Sequence, residues 1–169
     1  MRAPPRGSAP APTPPHFRAV TLAPGLQLGV ALGILPFLFV PRTVQALRPM
    51  HVLTTIGPDN STKAVLPFIA GKGAMSRGET VAMFAMQEAT YLGAPGHADL
   101  SELKAPGLPT VREVLDALQD NDALAEFVVC TPCAEVRGIG EADLAPWATF
   151  GGADDLARQA AEHDTTMTF

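Results

Sequence analysis

The sequence predicts an α/β fold in which a mainly parallel sheet of five strands lies between helices on both faces. Three observations support this fold class. Short β-rich runs alternate with segments of helical periodicity over residues 50–169. Glycine and proline residues separate these segments. The second run, residues 80–86, is apolar from Val81 onward, as expected for a strand that is covered on both faces.

The first strand and the first helix have clear boundaries in the sequence. His51–Ile56 is a β-rich run that is closed by Gly57 and Pro58. A helical pattern follows over residues 62–76. Pro67 lies inside this pattern and predicts a kink or a late start, because proline removes an amide donor and clashes with the preceding turn.

A long loop leads from the second strand to a capped helix. Residues 91–109 contain six Gly and Pro residues and predict this loop. Thr110 and Glu113 have the spacing of a capping box, which predicts a helix over residues 111–120. The third strand is predicted at Phe127–Cys130.

The remaining elements complete the sheet. They are a short helix from about Pro132, a helical turn at 141–144, a strand at 147–150, a helix at 153–162 and a strand at 165–169. Right-handed crossovers between parallel strands place helices on both faces. Because ligands gather at the carboxyl ends of such strands, we expect residues 57–61 and 91–109 to lie at the same edge as Cys130.

The composition divides the chain at Met50. Residues 1–49 contain five Arg and no Asp, Glu or Lys, whereas residues 50–169 contain seven Lys or Arg and all seventeen acidic residues. We therefore predict an N-terminal extension, residues 1–49, and one folded domain, residues 50–169. An acidic domain without a basic patch is not expected to bind nucleic acid, because phosphate contacts need clustered Lys and Arg.

Three interpretations of the Pro/Ala-rich and apolar extension remain open. The extension is a secretory signal with a small-residue cleavage site at residues 44–46, a membrane anchor formed by residues 22–40, or upstream sequence added by a misassigned start codon. The abrupt change in composition favours the last of these, with Met50 as the true start. We accordingly expect a cytoplasmic protein, and the alternative is export or membrane tethering through residues 1–46.

The two cysteines are the strongest chemical signal in the chain. Cys130 ends the third predicted strand, and Cys133 lies near the start of the next helix, where the helix dipole favours a thiolate. Two close cysteines are not a disulfide scaffold, and they are typical of a reactive pair in a reducing compartment. The alternative for each is a buried, inert cysteine. A structural zinc site needs four ligands, so we expect no metal, and no loop predicts a cofactor.

Five segments occur in an order and spacing that together indicate a known family. They are the strand and polar turn at 51–61, Lys63-Ala64-x-x-Pro67-Phe68-x-Ala70, Gly78-Glu79-Thr80-Val81-Ala82-Met83-Phe84, Cys130-x-x-Cys133-x-x-x-Arg137-Gly138-Ile139, and a terminal β-run that ends in Phe169. In these segments the chain resembles the DsrE/DsrF-like family of small sulfur-handling proteins, which includes the TusD-type sulfur carriers. The resemblance covers nearly all of residues 50–169.

The resemblance implies a flavodoxin-like three-layer sandwich, homo-oligomerisation, and sulfur relay through a cysteine persulfide with donor and acceptor proteins as partners. In TusD-type members the reactive cysteine lies eight residues before the glycine of the Arg-Gly pair, which is the position of Cys130 here. Other members carry a cysteine five residues before that glycine, which is the position of Cys133. The chain has both residues, so the choice of sulfur carrier stays open, and the TusD-type position favours Cys130.

Two further residues are candidates for supporting roles. Arg137 either stabilises a thiolate or persulfide anion, or closes the short helix at the surface. His97, in the long loop, is either an acid–base or steering group, or a solvated loop residue.

Two other functions compete with a sulfurtransferase-like carrier. One is a non-catalytic oligomeric binding or assembly module with unreactive thiols. The other is a thiol–disulfide redox protein, because Cys-Thr-Pro-Cys resembles a thioredoxin-type motif, although two strands precede it here.

The long loop is also the predicted interface of a homo-oligomer. It is long for a compact α/β unit. Its apolar side chains would leave much apolar surface in water without a partner; they are Tyr91, Leu92, Leu100, Leu103 and Leu108.

Overall fold

A computed structural model gives the structure of the protein and describes residues 49–169. The interpretations of residues 1–48 as an extension, a signal or an anchor lie outside the described residues. Among the helices of residues 49–169, none combines the length and the apolar character needed to cross a membrane.

Strands and helices alternate along the described chain. The strands are β1 (Met50–Thr54), β2 (Val81–Ala85), β3 (Leu124–Cys130), β4 (Thr149–Gly151) and β5 (Thr165–Thr168). The α-helices are α1 (Ser61–Ala64), α2 (Leu66–Ser76), α3 (Val111–Asp120), α4 (Thr131–Glu135) and α5 (Ala153–Glu162). Three short 3₁₀ segments, Pro58–Asn60, Gln87–Gly93 and Glu141–Asp143, follow β1, β2 and α4.

The strands form a single sheet in the order β4-β3-β2-β1-β5, and all four strand pairs are parallel. The predicted α/β fold with helices on both faces is therefore confirmed. At the carboxyl end of β3, Cys130 lies opposite Gly151 of β4.

Local sequence signals set most of the element boundaries. The predicted interruption at Pro67 is confirmed, because one helix ends at Ala64 and the next begins at Leu66, with the proline in its first turn. The capping box of α3 is present in full. β3 begins three residues earlier than predicted, because its pairing with β2 extends to Leu124, beyond the continuous apolar run.

The two faces of the sheet are covered very differently. The larger core lies on the side of α2 and α3 and contains Phe68, Leu115 and Phe127. On the other side lies a small cluster of buried Phe84, Val128 and Cys130, against which Leu53, Met86, Cys133 and Leu156 of α5 pack. A single ten-residue helix, α5, therefore covers most of this second face.

Polar residues fill the space between α5 and the amino-terminal part of the sheet. His51 and Gln159 are buried, and the ring of His163 lies 5.9 Å from the ring of His51. The Nε2 atom of His51 and both side-chain polar atoms of Gln159 have no hydrogen-bond partner of good geometry. Arg158 extends to the side chain of Glu126 in β3 through hydrogen bonds of 3.2 and 3.0 Å.

The predicted reason for an interface at residues 91–109 is wrong. Leu92, Leu100 and Leu103 are buried within the chain itself, and only Leu108 of the apolar side chains in this loop is exposed. The loop folds back over the larger core, and Val111 and Arg112 at the start of α3 donate backbone hydrogen bonds to it. Apolar content alone therefore gives no reason to place a partner on this loop.

Acidification should destabilise the fold through His51. Burial and the nearby His163 lower the pKa of this imidazole below its ordinary value of about 6.5. The unfolded chain then binds more protons than the folded one, so stability is complete above about pH 7 and falls as the pH drops below about 6.5. Urea unfolding between pH 7.5 and 5 should show this slope, and a flatter one in His51→Gln.

The control for this prediction is His97→Gln, since the side-chain contacts of His97 are with Tyr91 and Asp143, outside α5. This variant should keep the slope of the parent protein. An unchanged slope in His51→Gln would assign the acid sensitivity to other groups.

Candidate functional site

Cys130 is held in an apolar environment by the pleat of β3. Successive residues of a strand face opposite sides of the sheet, so Val128 and Cys130 face the side of α5 while Phe127 and Val129 enter the larger core. The Cys130 residue is 8% exposed. Its position at the carboxyl end of β3 agrees with the predicted location at a ligand-binding edge.

Cys133 occupies a different environment three residues further on. The chain enters α4 directly at Thr131, so the strand that buries Cys130 also fixes Cys133 in the first turn of this short helix. Cys133 is half-buried and packs at the margin of the same small cluster as Cys130. One thiol of the pair is thus withdrawn from solvent, and the other is partly accessible.

The electrostatic surroundings of Cys130 oppose its ionisation. Burial raises the pKa of the Cys130 thiol, and the neighbouring Cys133 thiol raises it further. The backbone N–H of Cys133 and the guanidinium of Arg137 act in the opposite direction without cancelling the increase. The two thiols therefore interact directly, and Cys130 is predominantly a neutral thiol at neutral pH.

Arg137 contacts the cysteine helix and a second loop. Its Nη1 donates a hydrogen bond of 2.8 Å to the carbonyl oxygen of Cys133. Its Nη2 forms an ion pair with Glu88, in the segment that follows β2. The ion pair lowers the pKa of Glu88 and raises that of Arg137, so both groups are charged at neutral pH. Arg137 therefore binds the short helix at Cys133 and links it to the segment that follows β2.

The loops after β1, β2 and β3 meet at the same edge of the sheet, as predicted. Ser61 donates a hydrogen bond of 3.1 Å from Oγ to the carbonyl oxygen of Lys104. The backbone of Glu88 packs so closely against Gly57 that a β-carbon at Gly57 would overlap the carbonyl oxygen of Glu88. Through Arg137, this contact extends to the segment that bears the cysteines.

His97 lies with a different set of neighbours. Its Nε2 is 3.6 Å from the carboxylate of Asp143, and its ring centroid is 6.1 Å from that of Tyr91. The structure thus joins His97 to the segment after α4 by way of Asp143, whereas its contacts within residues 49–169 do not join it to the sulfur atoms of the cysteines.

Sequence reasoning missed Glu88 and Gln87, which support the cysteine helix, and it placed Gly57 at this edge without its contact to Glu88. Glu88 belongs to no motif and lies 49 residues from Arg137. Gln87 has a φ of 50°, a left-handed backbone conformation that a residue with a side chain rarely adopts. Only Gly57, at the end of a strand, carried a signal of a close backbone approach.

Within residues 49–169, no three His, Cys, Asp or Glu side chains are grouped closely enough to hold a metal ion. The groups that the structure brings together at this edge are two neighbouring thiols, an arginine and a carboxylate.

The fold and the paired thiols define a small all-parallel α/β protein with a cysteine site at the carboxyl edge of its sheet. A model of the DsrE/DsrF-like family matches residues 50–169, and the chain belongs to this family. Family membership suggests a role connected with sulfur relay. A comparison with curated proteins found none that matches the chain.

Two solved structures share the fold. The ychN protein from E. coli superposes with a TM-score of 0.57 at 19% sequence identity, over 73% of this chain and 100% of that chain. The protein of unknown function MTH1491 from Methanobacterium thermoautotrophicum superposes with a TM-score of 0.53 at 11% identity, over 73% of this chain and 99% of that chain. At these identities the likeness concerns the fold alone.

The close approach of Gly57 to Glu88 predicts a position that does not tolerate a side chain. Gly57→Ala should lower the free energy of unfolding by about 1–3 kcal/mol, because the added methyl group meets backbone that cannot turn away. Denaturant unfolding measures this loss.

Gly96→Ala is a matched control, since a β-carbon at Gly96 meets no atom within 4 Å. Its free energy of unfolding should stay within about 0.5 kcal/mol of the parent value. Equal stability of the two variants would show that the contact at Gly57 yields easily.

Proposed function

We propose that the chain is a sulfur-relay protein in which the pair Cys130 and Cys133 carries sulfane sulfur as a persulfide. The observation that supports it most directly is the asymmetry of the pair at the carboxyl edge of the sheet. A half-buried thiol lies beside a buried one in a protein of the DsrE/DsrF-like family. A relay needs a thiol that a donor can reach and surroundings that shield the resulting persulfide from water.

Accessibility favours Cys133 as the residue that accepts sulfur. A donor persulfide has to bring its outer sulfur into line with the attacking thiolate. Cys130 is 8% exposed, and burial raises its pKa, so it is the poorer nucleophile on both counts. The TusD-type position favours Cys130 instead, and the experiment below is designed to separate these two assignments.

The transfer step balances without an external oxidant. The Cys133 thiolate attacks the outer sulfur of a donor R–S–SH, a new S–S bond forms on Cys133, and the donor S–S bond breaks. The donor leaves as the thiolate R–S⁻, and Cys133 holds the persulfide. An acceptor thiolate then attacks the outer sulfur in the same way and releases Cys133 as a thiolate.

Cys130 offers a second fate for the bound sulfur. Its thiolate can attack the inner sulfur of the Cys133 persulfide, form a Cys130–Cys133 disulfide, and expel hydrosulfide. The raised pKa of Cys130 slows this reaction, because only a small fraction of the residue is thiolate. Burial of Cys130 would thus protect the persulfide until an acceptor arrives.

The surface beside the cysteine pair suits proteins, as sulfur donor and acceptor, better than it suits small thiols. Val136, next to Arg137 at the end of α4, is 80% exposed and is the most exposed large apolar residue among residues 49–169. An apolar side chain beside a reactive thiol gives a protein partner surface to cover. A small-molecule thiol would gain little from it.

A second candidate function is a non-catalytic binding or assembly module. The observation in its favour is the burial of Cys130 and its raised pKa, which suit an inert core cysteine. In that case neither thiol would react faster than free cysteine, and no sulfur would be retained.

Sulfur loading of thiol variants tests the relay. After incubation with a sulfane-sulfur donor, intact mass should show one added sulfur atom on the parent protein. Cys133→Ser should abolish loading, because the accessible nucleophile is gone. Cys130→Ser should load and hold the persulfide longer than the parent, because no second thiol can expel hydrosulfide.

Each other result has a definite meaning. Loading that Cys130→Ser abolishes and Cys133→Ser prolongs would exchange the two roles and restore the assignment from the TusD-type position. Absence of added sulfur with several donors, together with ordinary thiol reactivity, would replace the relay with the binding module.

We also expect the protein to form a homo-oligomer, on grounds other than the long loop. All four residues of β5 are exposed, and this edge strand pairs only with β1 in the described part of the chain. Met167 of β5 is 43% exposed, and covering it would stabilise a dimer or larger assembly. Light scattering at micromolar concentration should show the assembly, and Met167→Lys should weaken it by about tenfold or more.

The control for the assembly is Val136→Lys, which adds the same charge to another exposed apolar residue. It should leave the assembly intact. A monomeric parent protein would contradict the expectation, and equal weakening by both variants would show a nonspecific effect of charge.

A further inference from the structure

Glu88 reaches the cysteine helix α4 from another segment of the chain, through Arg137, whereas Glu135 lies on α4 itself. The Glu88 carboxylate forms the ion pair with Arg137, whose side chain is only 19% exposed, while that of Glu88 is 46% exposed. The pair joins the segment after β2 to the segment after α4. A pair that is partly withdrawn from water interacts more strongly than one on an open surface.

The backbone beneath Glu88 is held in place from two sides. Gln87 adopts the left-handed conformation, which is strained for a residue with a side chain. Gly57, from the segment after β1, contacts the Glu88 carbonyl so closely that only glycine fits. The strain at Gln87 and the close contact at Gly57 together restrain the backbone that carries the Glu88 side chain.

Arg137 connects Glu88 to Cys133. One of its terminal nitrogens binds Glu88, and the other donates a 2.8 Å hydrogen bond to the Cys133 carbonyl oxygen. The same guanidinium lies within electrostatic range of both cysteines. Because the Glu88 charge partly neutralises the guanidinium, a thiolate at this edge receives less stabilisation than a lone arginine would give.

We propose that Glu88 is a positioning residue of the thiol site: it holds Arg137 against the carbonyl oxygen of Cys133 and offsets part of the positive charge that the guanidinium presents to this edge. A moderately stabilised thiolate remains nucleophilic, whereas a strongly stabilised one attacks sulfur poorly. This role of Glu88 does not require the relay function. Only the use of the Cys133 thiolate in sulfur transfer rests on the proposed function.

The pH dependence of alkylation tests this role. In a Cys130→Ser background, the iodoacetamide reaction reports Cys133 alone. Glu88→Gln removes the charge and keeps the shape of the side chain, so the midpoint of the pH–rate profile should move to lower pH by about half a unit, which is about threefold in thiolate fraction. Glu88→Asp, which keeps the charge, should return the midpoint toward the parent value.

Two further variants show that the effect passes through Arg137. In an Arg137→Gln background, Glu88→Gln should shift the midpoint by much less than it does alone, because the charge that it neutralises is absent. The matched control is Glu79→Gln, which breaks another Glu–Arg pair, with Arg77 at 2.8 Å, at the opposite end of β2. This control should leave the midpoint unchanged.

The outcomes separate the positioning role from a structural one and from the relay itself. A lower melting temperature in Glu88→Gln with an unchanged midpoint would overturn the proposal, and so would equal shifts in Glu88→Gln and Glu79→Gln. A shifted midpoint in a protein that loads no sulfur would support the role of Glu88 while contradicting the relay. Loading with no shift would do the reverse.

Discussion

The pleat of β3 is the constraint on which the site depends. Each strand residue must face the side opposite to its neighbours, so the burial of Phe127 and Val129 in the larger core forces Cys130 into the small cluster on the other side. The helix that follows begins at the next residue and places Cys133, half-buried, at the margin of this cluster. The burial of Cys130 in the small cluster is therefore a property of the strand, and a one-residue slip in the register of β3 would move Cys130 to the side of the larger core.

The two faces of the sheet differ in how they are stabilised. On the side of α2 and α3, large apolar side chains are packed at full burial. On the other side, the one fully buried residue of α5 is Gln159, and Arg158 holds the helix to Glu126 through charged groups near the surface. Charged contacts of this kind contribute little in water. Helix α5, which covers the cluster containing Cys130, is therefore held to the sheet by fewer buried apolar side chains than α2 and α3 are.

Much of the fold could be predicted from the sequence, because local signals specify it. The capping residues of α3, the proline that divides α1 from α2 and the β-rich runs each act within a few residues. The position of Cys130 at a strand end follows from the same reasoning. The contact between Glu88 and Arg137 could not be predicted, since it joins residues that only the completed sheet brings together. The burial of Leu100 and Leu103 was missed for a related reason, because an apolar pattern does not say whether the chain itself or a partner covers it.

No loop separates β3 from α4, so the segment that carries the cysteines has little conformational freedom. Thr131, the first residue of α4, donates a hydrogen bond of 3.2 Å from its hydroxyl to Gly151 of the adjacent strand, which anchors the helix to the sheet. Cys133 therefore cannot swing outward on a flexible arm, and a persulfide extends its reach by a single S–S bond, about 2 Å. In such a geometry, sulfur transfer requires the partner to bind beside Cys133 and to align its own sulfur with that residue. Cys133 would stay in place on the carrier. The movement of the partner proteins would cover the distance over which sulfur travels.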